Sequence, residues 1–110
     1  MSRLTAFATL AVCALLEAGG DALVRRGMHA ASFANRLALY LTAAMALFAY
    51  GWLVNRPPWS FGSLLGIYVA LLFVVAQALG YFVFGDKPTL PIVAGGTLIV
   101  AGGLVITLWR

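Results

Sequence analysis

Apolar residues fill this chain in four long runs, and polar residues collect between them. The runs cover residues 4–24, 37–54, 61–84 and 91–108. Each holds about 18 to 24 residues, enough for a helix rising about 1.5 Å per residue to cross a hydrocarbon core of ~30 Å. The runs are continuous rather than alternating, which favours helices over strands. Lipid admits only helices or closed barrels, because every backbone polar group must be satisfied internally. The pattern predicts an all-α membrane protein. Residues 1–110 form a single domain of four transmembrane helices with short loops.

The breaks have chemical causes. Arg25-Arg26-Gly27-Met28-His29 opens a polar first connection that Asn35-Arg36 closes. Asn55-Arg56-Pro57-Pro58-Trp59-Ser60 ends the second run, since two prolines cannot continue a helix. Gly85-Asp86-Lys87-Pro88-Thr89-Leu90-Pro91 forms the last turn. Trp109 and Arg110 are expected to anchor the final helix at the interface.

Composition agrees with this layout. Hydrophobic residues make up 64% of the chain and charged residues 9%, where a soluble domain carries roughly 25% charged. The net charge of +4 does not point to nucleic acid, because the basic residues lie between the apolar runs, at headgroup level. The one cysteine, Cys13, allows no intrachain disulfide and no Cys/His metal cluster, and it reads as a small buried apolar group. Arg3 followed by an apolar stretch superficially resembles a signal peptide. No small-x-small cleavage site leads into a polar domain, however, and Val12 before Cys13 does not suit lipoprotein processing. The chain is therefore read as mature from Met1. His29 reads as a surface loop residue. No phosphate, nucleotide, metal or nucleophile motif is present, so neither an enzyme nor a cofactor is expected.

Basic residues divide almost evenly between the two sides. Arg3, Arg56 and Arg110 fall on one side, and Arg25, Arg26, Arg36 and Lys87 on the other. So small a difference does not set orientation by the positive-inside bias. Insertion both ways, and with it an antiparallel dimer, is one outcome. Orientation fixed by the Arg25-Arg26-Arg36 cluster is the other.

Glu17 is the strongest chemical signal. It stands about three residues past the midpoint of its run, roughly 4–5 Å from the centre. An ionised carboxylate there is costly unless paired, hydrated or protonated. Such a group can exchange a proton for a cation in a water-accessible cavity. The structural alternative is a neutral carboxyl hydrogen-bonded to a neighbouring helix. Asp21 and Arg25 follow at i+4 and i+8 on the same face. Asp21 reads either as an ion pair with Arg25 or Arg26, or as a second cation contact at a cavity mouth.

Trp52 and Tyr50 in the second helix, and Tyr68, Gln77 and Tyr81 in the third, can complete a site. Aromatic faces attract organic cations, and a tyrosine hydroxyl can orient a carboxylate. Tyr50, Trp52 and Tyr81 also suit an interface belt, while Tyr68 and Gln77 lie deeper. Small residues mark helix contacts: Gly62, Gly66 and Ala70, then Ala76 and Gly80, in the third helix. Gly95-Gly96 and Gly102-Gly103, spaced by seven, do the same in the fourth. The fourth helix carries no ionisable residue before Arg110. It reads as an assembly helix at a dimer interface, although the same glycines also suit packing within one chain.

Two stretches resemble the small multidrug resistance family, the four-helix branch of the drug/metabolite transporter superfamily. One is Leu16-Glu17 followed by Asp21 and Arg25, where the family has a first-helix glutamate and a basic residue eight later. The other runs from Phe84-Gly85-Asp86-Lys87-Pro88-Thr89-Leu90-Pro91 to Gly95-Gly96-Thr97-Leu98-Ile99-Val100-Ala101-Gly102-Gly103, similar to the family's third loop and dimerisation helix. The third helix departs from the family's Gly-x-Ala-Tyr-Ala-x-Trp signature. Leu65 stands at its tyrosine position and Tyr68 at its tryptophan position. The resemblance implies an antiparallel dimer, homodimeric or heterodimeric, in the inner (plasma) membrane. It implies export of a small cation against protons, with Glu17 of both subunits binding one or the other. The alternatives are a non-transporting accessory subunit and a lipid or lipid-linked-sugar flippase subunit.

Overall fold

The structure, a computed structural model, describes residues 1–109. Arg110, expected as an interface anchor, lies outside the described residues. Four helices follow in order: α1 (Arg3–Met28), α2 (Phe33–Val54), α3 (Phe61–Phe84) and α4 (Leu90–Leu108). All four are long and apolar enough to cross a membrane. The fold is that of a multi-pass membrane protein.

The apolar runs mark the helices, but the first connection is shorter than its polarity suggests. α1 continues through Arg25, Arg26 and Gly27, and α2 starts at Phe33 rather than near residue 37. Arginine is a good helix former, and cations in a last turn suit the negative end of the helix dipole. Ser32 then caps α2 by accepting from the Asn35 N–H at 3.1 Å. Ser2 caps α1 in the same way through Thr5. α3 ends on Gly85, whose φ of 70° is a left-handed stop that glycine adopts without strain. The next N–H, that of Asp86, donates back to the Gly80 carbonyl at 2.9 Å. α4 carries a proline in its first turn, where no N–H is missed.

α1 is central. It packs against both α2 and α3, and α4 packs against α3. A Cβ on Gly20 would meet Leu47 at 2.8 Å, and one on Gly27 would meet Tyr40 at 2.6 Å. These two α1 glycines, seven apart, thus let α2 approach closely. The core joins Leu10, Cys13 and Ala14 of α1, Val54 of α2, and Leu64, Ile67 and Tyr68 of α3. Phe7 closes it edge-to-face on Trp59, with ring centroids 5.5 Å apart. The same end of the molecule holds a long-range tie: the Arg3 guanidinium donates to the Thr107 carbonyl at 2.8 Å. Most large apolar side chains face outward, with Phe48 77% and Leu98 75% exposed. In water such a surface drives association. In lipid it is the solvated state.

Candidate functional site

Three helices bring polar groups together beside the core. α1 supplies Glu17, half-buried and within about 2 Å, along the axis, of the helix midpoint. α3 supplies Tyr68, only 2% exposed. The Tyr68 hydroxyl donates to Glu17 Oε1 at 2.9 Å. α2 supplies Tyr50, whose ring stacks on Tyr68 at 5.6 Å between centroids and 25° between planes. Cys13 lies one turn before Glu17 and is fully buried.

The arrangement has a clear chemical capacity. A carboxylate offers about four lone-pair sites, so the Tyr68 hydroxyl orients Glu17 without exhausting it. The stacked tyrosines set aromatic faces next to an acidic oxygen, a combination that suits a proton or a weakly hydrated organic cation. Tyr68 is itself held by the core residues around it, so the donor is fixed by packing rather than by a mobile loop.

The other residues singled out in the sequence lie elsewhere in the protomer. Asp21 is exposed and lines a cleft between α1 and α3. Among the described residues it forms no ion pair with the neighbouring arginines. Their guanidiniums sit against the Phe84 ring instead, at 5.5 Å for Arg25 and 5.7 Å for Arg26. Trp52 is 57% exposed, and Arg56 covers its ring at 4.3 Å. Gln77 lines a separate groove of about 490 Å³ between α3 and α4. Tyr81 is 49% exposed and meets Phe82 edge-to-face.

The glycine pairs of α4 split. A Cβ on Gly96 would reach Phe73 at 2.5 Å, and one on Gly103 would reach the Ala70 Cβ at 2.5 Å. Both are spent on packing against α3. Gly95 and Gly102 have nothing within 4 Å of that position and face outward.

Sequence reasoning leaves Tyr50 and Trp52 alike open between the site and an interface belt. Helical phase was the available signal. At about 100° per residue, Tyr50 and Trp52 lie about 200° apart, so only one of them can face α1.

Comparison with known protein families, with curated proteins and with solved structures gave no match to this chain.

Proposed function

We propose that the protein exports a small organic cation in exchange for protons, by alternating access, as an antiparallel homodimer in the plasma (inner) membrane. The observation that carries the reading is the hydrogen bond from Tyr68 to Glu17 under the stacked Tyr50 ring. Acids inside membrane helices characteristically mark ion and proton pathways. A single carboxylate carries one negative charge, so a proton and a monovalent cation compete for it. That competition is a coupling free energy, and linkage makes it reciprocal: each ligand weakens the other by the same factor. The resemblance of the Glu17 and α4 segments to small multidrug resistance proteins supports the same reading. Near-balanced loop charges support insertion both ways. The outward Gly95 and Gly102 support a second copy against α4.

The test is cation flux driven by a proton gradient in liposomes holding the purified protein. Glu17→Gln keeps the shape and removes the titrating group. It is expected to abolish proton-driven flux while the oligomer is retained on a sizing column. Undiminished flux overturns the proposal. Reporters fused to either terminus should give equal signals on both faces of the membrane, and a strongly one-sided signal overturns the antiparallel arrangement.

A further inference from the structure

Beyond the core, towards the Arg25 end, a cleft of about 470 Å³ opens between α1 and α3. Small residues make it: Ala18 and Ala22 on one wall and Ala76 on the other, with Leu72 beside it. Its lining comes from α1, α3 and the turn after α3, so neither α2 nor α4 covers it. Three charged residues stand at one end: Asp21, Arg25 and Asp86. The turn after α3 is built to put Asp86 there. Gly85 reverses the backbone at φ 70°, and the Asp86 N–H anchors on the Gly80 carbonyl at 2.9 Å. Its carboxylate then folds back until Oδ2 lies 3.7 Å from the position of a Cβ on Gly80. The Arg25 guanidinium is steadied against Phe84.

We propose that this cleft is a binding site for a phospholipid whose headgroup carries a primary ammonium. The phosphate meets Arg25, the ammonium lies between Asp21 and Asp86, and an acyl chain runs along the alanine-walled slot. Two features select this occupant. The cleft is charged near the ends of α1 and α3 and apolar towards their middles, which is the direction of a lipid standing in one leaflet. The charged side chains lining it are two carboxylates and one guanidinium, complementary to an ammonium joined to a phosphate, and the Arg26 guanidinium on the same Phe84 ring adds positive charge on the phosphate side. A primary ammonium has three N–H donors for two carboxylates. A trimethylated headgroup has none, and a glycerol headgroup leaves both carboxylates without a counter-charge. The volume is in the range of small-ligand pockets, room for the headgroup and part of one acyl chain, with the rest of the lipid in the bilayer.

The experiment is native mass spectrometry of the full-length protein with phosphatidylethanolamine, phosphatidylcholine and phosphatidylglycerol of identical acyl chains. The wild type is expected to retain the ethanolamine lipid about tenfold more than the choline lipid, as a charge-assisted hydrogen bond allows. The double variant Asp21→Asn/Asp86→Asn should lower it to the choline level. Arg25→Gln should weaken both lipids alike. Ala76→Phe fills the slot and should lower all three. Equal retention of the three headgroups by the wild type overturns the proposal, and so does a preference for the glycerol lipid. Competition by soluble phosphoethanolamine as strong as by the lipid removes the chain from the site and also overturns it. Loss of dimer in the double variant with unchanged lipid adducts identifies a second copy as the occupant, with the same result. If the double variant fails to fold, the wild-type ranking and Ala76→Phe decide.

Discussion

α1 and α4 are both long enough to cross the bilayer, but they meet α3 by different means. α1 presents Glu17 to Tyr68 through a hydrogen bond of 2.9 Å, with Cys13 and Ala14 fully buried alongside. α4 presents Gly96 to Phe73 and Gly103 to Ala70, and its side of that contact is apolar. The first interface has a polar centre, a hydrogen bond to a carboxyl, which under the proposed function a proton or cation alters. The second is van der Waals contact, indifferent to both. A helix pair joined through a titratable group can be re-set by a ligand. One joined through glycines stays as packed. Under the proposed function, switching falls to α1 and α3, and fixed assembly to α3 and α4.

Substitutions can break this contrast. The largest effect within the protomer should come from Gly103→Leu, which drives a side chain into Ala70. It should destabilise the protomer by about 1–3 kcal/mol, read by unfolding in mixed micelles. No change would mean that α4 is not seated on α3 as described. Next comes Tyr68→Phe, which deletes the donor and keeps the packed ring. A loss of about 1 kcal/mol is expected, together with altered cation affinity in a binding titration, whereas Gly103→Leu should leave that affinity unmoved. Gly102→Leu should change protomer stability by less than about 0.5 kcal/mol, since its side chain enters open space. Its effect should fall on the dimer fraction measured by cross-linking, and an unchanged fraction would exclude this stripe from the dimer contact. The smallest effect is expected for Gln77→Leu, with flux within about twofold of wild type, because the residue faces the α3–α4 groove. A large loss of flux would place that groove on the transport path.

The four spans were legible because lipid demands a length and a polarity that few other environments demand. Glu17 was legible for the same reason: a carboxyl within such a run is conspicuous. The end of α1 was not. The change from apolar to polar residues marks where the bilayer stops, whereas the backbone continues to Met28 because arginine tolerates a helix well. Tyr68 and Gln77 looked equivalent by depth. They are nine residues apart, which at about 100° each puts them half a turn from one another, and only Tyr68 faces α1. Within Gly95-Gly96 and Gly102-Gly103 the sequence offers two adjacent glycines with no side chain to tell them apart. Which one meets α3 depends on the rotation of α4 about its axis, and that is set by Phe73 and Ala70 on the neighbouring helix.

The tie from Arg3 to the Thr107 carbonyl spans 104 residues. On a ribosome the arginine is made well before its acceptor. Until α4 has been threaded into the bilayer, the guanidinium has no carbonyl there to bind. The bond therefore closes only once α4 is in place. A protomer with α4 seated thus differs from one without it by a satisfied guanidinium at the start of α1.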